Sequence, residues 1–219
     1  MSTFIGICGG SSSGKTTVSN YLFNYIKDST QISLDNYTHV KNNGNYGSRE
    51  EYIKNTNFDC PDAYNIDLFL YHLKELRAKR EIKMPLYDFK TSTYTGFKIV
   101  KPEKFILIDG ILLFSKIEIL KQIDLCIFIE CNDEIRDKRR IARDTVERGA
   151  TLDMVTHQLN TTVNPMFYKY VFPNRHYADI VFDNTQSGGN YNLHKKLFEL
   201  YKKVIEYVEN DQSENTEVV

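Results

Sequence analysis

A short glycine-rich segment carries the first pattern with recognisable chemistry. Gly9, Gly14, Lys15 and Thr16 fit the pattern GxxxxGK[ST], between the apolar run TFIGIC and a segment with helical periodicity. In this setting backbone N–H groups surround phosphate oxygens, Lys15 reaches the β and γ phosphates, and Thr16 ligates Mg²⁺. A flexible turn would also use glycine, but the complete pattern favours a phosphate-binding loop. The predicted nucleotide-binding residues of the loop are Gly9, Gly10, Ser11, Ser12, Ser13, Gly14, Lys15, Thr16 and Thr17.

Two aspartates end apolar runs elsewhere in the chain. Asp109 closes the run FILID before Gly110, and we predict that it completes the magnesium site with Thr16. Asp35 closes the run at residues 31–34, which places it at the carboxyl edge of a parallel sheet, where ligands bind. A carboxylate there can orient an attacking hydroxyl and take its proton. Each aspartate could instead cap a turn or loop, and this alternative stays open.

An arginine-rich segment at residues 132–148 has the signature of a helix, with Asp133 and Glu134 in its first turn. Its arginines cluster within a sector about 100° wide. Such clustering suits a lid helix that closes over a triphosphate, whereas a solvated face with mixed charges is the alternative. The clustered arginines are Arg136, Arg139, Arg140 and Arg143.

The pattern of apolar residues predicts the elements that position these groups. Short apolar runs predict sheet strands at 3–8, 31–34, 105–108, 125–130 and 180–182. Amphipathic periodicity predicts helices at 16–27, 65–79 and 193–208, and two alternating runs at 82–89 and 94–100 predict a hairpin. We therefore expect an α/β fold of the P-loop NTPase type, similar to nucleoside monophosphate kinases. It would have a parallel sheet with helices on both faces, a β-hairpin and a helical lid.

The same patterns predict one domain over residues 1–208, with the hairpin at about 82–100 and the lid at about 132–160. The polar stretch 36–57 is predicted to be a long loop or an irregular helix, and long loops in compact domains usually carry function. The acidic, polar stretch 209–219 is predicted to be a disordered tail.

Composition argues against several classes of protein. A formal net charge of −1 gives no general electrostatic attraction to a nucleic-acid backbone, and no apolar run approaches the length of a membrane span. The four cysteines, Cys8, Cys60, Cys126 and Cys131, form no CxxC pair, which argues against a zinc site or a disulfide framework. We therefore expect a cytoplasmic protein that acts on small molecules.

The surroundings of the two motifs narrow the class of nucleotide-binding protein. Gly110 follows Asp109, where many motor-type ATPases have a catalytic glutamate. The NKxD motif by which regulatory GTPases read guanine is absent from the sequence. Both observations favour a kinase.

With these residues located, the chain resembles the uridine/cytidine kinase family over residues 4–182. GGSSSGKTT is similar to the family's phosphate loop, ISLDNY to the segment with its acceptor-side aspartate, and NFDCPDAY to its FDHPDAF signature. MPLYDF, LIDGILLF, RRIARDTVERG and NPMFYKYVFPNRHYADIV follow in the family's order.

The resemblance implies phosphorylation of the 5′-hydroxyl of uridine or cytidine, with Mg²⁺ and ATP or GTP as the donor. It implies that Asp35 is the general base, and that Lys15 and Arg140 complete the catalytic set. It further implies a homo-oligomer, commonly a homotetramer. The remaining implied roles are ribose binding by Asp59 and Arg143, base contact by Tyr87 and Phe89, phosphate contact by Arg140 and Arg148, and a place for Gln158 near the nucleoside.

The chain departs from the family's pattern at three positions, and the first of them leaves the base preference open. Ser92 stands where the family usually has a base-reading histidine, Ala150 stands where an arginine is typical, and Asp109 stands where glutamate is frequent. A related kinase for nicotinamide riboside or a sugar phosphate therefore remains an alternative. A nucleotide-binding module without catalysis is a third interpretation, although Lys15, Thr16, Asp35 and Asp109 argue against it.

Overall fold

The structure, a computed structural model, describes residues 2–40, 48–185 and 189–214. Within these residues, five parallel strands form one sheet in the order β2-β5-β1-β6-β7, and two strands form a separate antiparallel hairpin, β3-β4. The strands are β1 (Thr3–Gly9), β2 (Ser29–Ser33), β3 (Ile82–Asp88), β4 (Thr93–Val100), β5 (Phe105–Asp109), β6 (Leu125–Glu130) and β7 (Ile180–Asp183).

Helices connect the strands and cover the sheet. The α-helices are α1 (Lys15–Tyr25), α2 (Arg49–Asn55), α3 (Ile66–Arg77), α4 (Ile117–Leu120), α5 (Asp133–Val146), α6 (Leu152–Gln158), α7 (Asn164–Met166) and α8 (Gly189–Glu214). The chain also forms π-helical turns at Leu159–Val163 and Phe167–Val171, and 3₁₀ turns at Leu34–Tyr37, Pro61–Ala63 and Phe172–Tyr177. In the part of the chain that the structure describes, no helix is both long enough and apolar enough to cross a membrane.

Side chains of a strand alternate in direction, so the sheet has two faces. Helices cover both faces and bury them. On one face, Phe4 and Phe128 pack with Phe69 and Leu73 of α3. On the other face, residues such as Ile7 and Ile127 join a second apolar layer. The helix residues of that second layer are Val18 and Leu22 of α1 and Leu197, Leu200 and Val204 of α8. A parallel sheet between two helical layers confirms the predicted α/β fold class.

The structure differs from the predicted tail and defines the stretch 36–57 more closely. Helix α8 ends at Glu214, so residues 209–214 continue the helix instead of starting a disordered tail; residues 215–219 lie outside the described residues. The stretch predicted as a loop or irregular helix contains α2, while residues 41–47 lie outside the described residues. Helix α2 begins where Ser48 Oγ accepts a hydrogen bond from the backbone N–H of Glu51 at 3.1 Å, as in a capping box.

Candidate active site

The register of the sheet brings the two predicted aspartates to one edge. Asp109 pairs with Ile7 of β1 and with Ser33 of β2, and Asp35 follows Ser33 in the next 3₁₀ turn. A side chain at Gly110 would meet Leu34, because an added Cβ would lie 2.6 Å from the Cβ of Leu34. The glycine after Asp109 therefore allows these two strand ends to pack closely.

A cavity of about 940 Å³ opens at this edge and collects most of the predicted site residues. Gly9, Gly10 and Ser13 are the predicted loop residues that do not line it. Gly9 ends β1, and the backbone carbonyls of Gly10 and Ser13 accept side-chain hydrogen bonds. The predicted residues that line the cavity are Ser11, Ser12, Gly14, Lys15, Thr16, Thr17, Asp35, Asp59, Tyr87, Phe89, Asp109, Arg140, Arg143, Arg148 and Gln158.

Lys15 begins α1 immediately after the glycine loop and is only 8% exposed. Its Nζ donates a hydrogen bond to the carbonyl of Gly10 at 2.8 Å. Burial lowers the pKa of the Lys15 ammonium group, while the negative charges of Asp35 and Asp109 act in the opposite direction. The lysine is thus bound to the phosphate loop while both carboxylates favour its charged form.

Thr16 and Asp109 form the pair predicted to hold magnesium. Thr16 Oγ1 donates to Asp109 Oδ2 at 3.5 Å. Burial, followed by the charge of Asp35, raises the pKa of Asp109 to about 6. Hydroxyl and carboxylate oxygens suit Mg²⁺, which is usually held by one or two protein ligands together with water and substrate phosphates. Among the described residues, no group of three or more metal-ligating side chains forms a separate cage. The two residues therefore fit a magnesium ion that arrives with a nucleotide.

Three arginines of the lid converge on one buried carboxylate, that of Asp144, whose side chain is 6% exposed. Arg140 Nε lies 3.3 Å, Arg143 Nε 2.7 Å and Arg148 Nη1 3.4 Å from its oxygens. Burial acts to raise the pKa of Asp144, but the guanidinium groups outweigh it and hold this pKa below its usual range. Asp144 therefore fixes three cations at the cavity wall.

Arg140 also links the lid to the phosphate loop. Its Nη1 donates to Ser11 Oγ at 2.7 Å, and its Nη2 lies 3.4 Å from Oε1 of Gln158. Gln158 Nε2 in turn donates to the carbonyl of Ile53 in α2 at 3.0 Å. The lid, the phosphate loop and α2 are thus joined by consecutive hydrogen bonds around the cavity.

Arg136 does not share the position of the other lid arginines. It is 1% exposed, pairs with Asp133 at 2.7 Å, and lies with its guanidinium carbon 3.8 Å from the centroid of the Phe167 ring. The predicted cluster therefore divides: Arg139, Arg140 and Arg143 reach the cavity, and Arg136 packs beneath Phe167. The position of a residue around the helix axis does not reveal whether another segment of the chain packs over it.

The part of the cavity wall around Asp59 holds buried ionisable groups. Asp59 is 6% exposed, and burial raises the pKa of its carboxyl, although Arg140 opposes this change. Tyr64 was not among the predicted site residues, yet it lines the same cavity. Its backbone forms an antiparallel bridge with Thr38. Burial, with the charges of Asp35 and Asp59, raises the pKa of the Tyr64 phenol well above its usual value. The only available signal was its place at the end of NFDCPDAY.

Aromatic side chains of the hairpin form the far wall. The rings of Tyr87 and Phe89 have centroids 5.1 Å apart, and the guanidinium carbon of Arg148 lies 3.9 Å from the Phe89 centroid. Ser92, at the hairpin turn with a φ of 58°, also lines the cavity and is 6% exposed. The positions of the two rings are therefore compatible with packing between them and with a wall for a planar base.

Residues 4–188 match the Phosphoribulokinase / Uridine kinase family. The chain belongs to this family. The family relatives include the uridine kinase of Borrelia turicatae, which is 38% identical over 182 residues, covering 83% of this chain and 86% of that protein. The uridine kinase of Clostridium novyi is 36% identical over 178 residues, covering 81% and 85% respectively. The resemblance that the motifs indicate is thus confirmed at the level of the family.

Solved structures support the fold of this family member. The phosphoribulokinase from Rhodobacter spheroides aligns with a TM-score of 0.64 at 16% identity, covering 83% of this chain and 70% of that one. The shikimate kinase from Bacteroides thetaiotaomicron aligns with a TM-score of 0.55 at 12% identity, covering 92% and 98%. At such low identities the likeness concerns the fold, which is that of P-loop kinases.

Proposed function

We propose that this family member transfers the γ-phosphoryl group of ATP to the 5′-hydroxyl of uridine or cytidine and forms UMP or CMP. The observation that carries the proposal is the position of Lys15, Asp109 and Asp35 around one cavity at the carboxyl edge of the sheet. A triphosphate in the loop and a sugar hydroxyl near Asp35 would then face each other. The curated relatives named uridine kinase, at 36% and 38% identity, support the choice of substrate.

The donor half of the site would bind the triphosphate through the phosphate loop. Backbone N–H groups of the loop bind phosphate oxygens, and Lys15 exchanges the carbonyl of Gly10 for the β and γ phosphates. Arg140 and Arg148 of the lid contribute positive charge. This charge stabilises the negative charge that develops on the transferring phosphoryl group. Thr16 and Asp109 would hold Mg²⁺, which neutralises phosphate charge when it is bound with the nucleotide.

The acceptor half would bind and activate the nucleoside. Asp35 orients the 5′-hydroxyl and accepts its proton as the bond from O5′ to the γ-phosphorus forms and the bond to the leaving ADP oxygen breaks. Asp59 and Arg143 bind the ribose hydroxyls, with Gln158 beside them. Tyr87 and Phe89 contact the base. Because little covalent chemistry is required of the protein, most of the rate enhancement comes from positioning and electrostatics.

The proposal includes a cytoplasmic homo-oligomer, with a homotetramer as its expected form. All four cysteines are free thiols, which suits a reducing compartment. On the hairpin, Phe97 is 59% and Ile99 41% exposed, and exposed apolar side chains of this kind support association between subunits. Light scattering on the purified protein gives the mass and tests the oligomer directly.

Phosphorylation of a different small hydroxyl substrate is a second candidate function, and Ser92 is the observation that favours it. A serine at this position of the cavity wall gives less contact to a pyrimidine edge than a histidine would. Nicotinamide riboside or a sugar phosphate could then be the acceptor.

A panel of acceptors in a coupled ADP-release assay separates the candidates. Uridine and cytidine should give ADP and a nucleoside monophosphate, while nicotinamide riboside should give almost none. Preferential turnover of nicotinamide riboside or a sugar phosphate would overturn the choice of substrate. Tight binding of ATP without product from any acceptor would instead identify a nucleotide-binding module.

A further inference from the structure

Asn184 follows β7, lines the same cavity as Gly14 and touches the phosphate loop. Its side chain is buried, with the residue 6% exposed, and Nδ2 donates to the backbone carbonyl of Ser13 at 2.8 Å. Its backbone N–H donates to the carbonyl of Glu130 at 2.8 Å, and its own carbonyl lies 3.3 Å from Nη2 of Arg139. Asn184 is therefore fixed by β6 and by the lid helix while its amide holds the loop.

The hydrogen bond to Ser13 sets the direction of the next amide. The carbonyl of Ser13 and the N–H of Gly14 belong to one planar trans peptide, so they point in opposite directions. Because Asn184 holds the carbonyl on its own side, the N–H of Gly14 turns away from Asn184. An N–H group that faces the triphosphate attracts a phosphate oxygen, whereas a carbonyl group that faces the triphosphate would repel it. The direction of this one peptide therefore affects the affinity for a triphosphate.

Gly14 is shaped for this contact. Its φ is +105°, a conformation that residues with a side chain rarely adopt, and an added Cβ would lie 2.3 Å from Nδ2 of Asn184. Gly14 also lines the cavity in which the nucleotide is proposed to bind. The amide of Asn184 thus packs directly against the peptide that it orients.

We propose that Asn184 is a positioning residue for the phosphate donor: it orients the Ser13–Gly14 peptide and connects this peptide to Arg139 of α5. The inference deepens the proposed function and rests on it for the identity of the nucleotide. It assigns a role to a residue that follows the last of the motifs quoted for the family resemblance, which ends at Val181.

Two substitutions test the role, and a second asparagine provides a matched control. Asn184→Ala removes the amide donor. Asn184→Asp keeps the shape of the side chain but places a carboxylate oxygen against the Ser13 carbonyl. Asn174 makes the same kind of bond elsewhere, from Nδ2 to the carbonyl of Tyr170 at 2.9 Å, so Asn174→Ala and Asn174→Asp are the controls.

The measurements are calorimetric binding of ATP and of inorganic tripolyphosphate, together with kcat and the two KM values. Asn184→Ala should weaken ATP binding about tenfold, since one hydrogen bond is lost, and Asn184→Asp should weaken it further. Binding of tripolyphosphate should weaken by about the same factor as binding of ATP, because the orientation of this peptide affects the contacts to the phosphates. The KM for uridine should change less than twofold, and the Asn174 variants should leave all constants unchanged.

Unchanged binding of ATP in both Asn184 variants would overturn the proposal. Equal weakening of ATP and uridine, accompanied by a lower thermal midpoint, would also overturn it, because that pattern indicates a general packing role. If Asn184→Ala does not fold, Asn184→Asp and Asn184→Ser decide in its place. A parent protein that binds ATP, loses affinity on Asn184 substitution and makes no UMP would contradict the proposed function but not the role of Asn184.

Discussion

The ammonium group of Lys15 is hydrogen-bonded to the backbone carbonyl of Gly10, at 2.8 Å within the same loop. A phosphate oxygen in the loop competes with that carbonyl for the ammonium group. The cation is therefore already placed at the phosphate site by the fold, with little rearrangement required. Burial lowers the pKa of Lys15. The negative charges of Asp35 and Asp109 act in the opposite direction, so the two carboxylates help to keep the ammonium group protonated.

Replacement of this cation should impair the chemical step. Lys15→Met keeps much of the apolar stem and removes the charge, so kcat should fall roughly 10²- to 10³-fold, with weaker binding of ATP. The coupled assay and calorimetry measure both effects. Lys138→Met is the control, because the Lys138 side chain is 71% exposed and pairs with Glu134 on the outer face of α5. Parent-like turnover of Lys15→Met would remove the lysine from the mechanism.

Loss of the proposed base should separate turnover from donor binding. Asp35→Asn keeps the shape of the side chain but cannot accept the proton, so we expect kcat to fall roughly 10²- to 10⁴-fold while ATP still binds. Asp62→Asn, at an exposed residue of the nearby NFDCPDAY segment, should behave like the parent. If Asp35→Asn phosphorylates uridine at the parental rate, the assignment of the base is wrong.

Asp109 should make stability depend on pH. Its pKa is raised to about 6, so the folded protein holds this proton more tightly than the unfolded chain does. Stability that is present at low pH is therefore lost as the pH rises from about 4 through 6. At one pKa unit per about 1.4 kcal/mol, ionisation of Asp109 costs up to about 3 kcal/mol at pH 7.5.

The isosteric change Asp109→Asn isolates this cost. In the presence of EDTA and without nucleotide, the variant should unfold at a higher temperature than the parent at pH 7.5, and the advantage should shrink through the acid range and vanish only below about pH 4. Addition of Mg²⁺ and ATP should reverse the order, because the charged carboxylate binds the cation more strongly than a neutral amide does. A difference in thermal midpoint that is independent of pH would contradict the buried, titrating carboxyl.

Asp144 should be required for the stability of the lid. Asp144→Ala leaves Arg140, Arg143 and Arg148 without their shared partner, and removal of one member of a buried ion pair costs about 3 to 5 kcal/mol. Glu134→Ala is the control on the same helix, since its pair with Lys138 is highly exposed and contributes at most about 1 kcal/mol. Urea unfolding compares the two variants.

The pKa of Asp144 also predicts how this stabilisation changes with pH. Because this pKa is held below its usual range, the carboxylate stabilises the folded protein above pH 4 and this contribution is lost as the pH falls further. The difference in unfolding free energy between the parent and Asp144→Ala should therefore shrink in acid. Equal stability of Asp144→Ala and Glu134→Ala at pH 7.5 would show that the cluster does not hold the lid.

Much of the geometry of the candidate site could be predicted from sequence because it depends on local patterns. The glycine loop before Lys15, and Asp109 at the end of an apolar run, both follow from strand ends meeting at one edge. The strand at Leu125–Glu130 was predicted with its observed bounds, since a buried parallel strand is one continuous apolar run.

The parts that sequence could not give depend on contacts between distant segments. Arg136 shares a helical sector with Arg140, but Phe167 covers Arg136, and no local pattern reveals that cover. Asn184 reaches Ser13 only because β7 ends beside the loop, and an asparagine after a strand is usually just a turn residue. Tyr64 joins the site through its bridge to Thr38, which sets two separate loops side by side.

The position of the phosphoryl group on the product tests the central claim most directly. The purified protein is incubated with Mg²⁺, ATP and uridine, and the product is identified by ³¹P NMR and mass spectrometry, with 5′-deoxyuridine as the matched acceptor that lacks the reacting hydroxyl. The account predicts 5′-UMP and ADP in equal amounts from uridine, and no phosphorylated product from 5′-deoxyuridine. Phosphorylated product from 5′-deoxyuridine, or ADP formation without UMP, would contradict it.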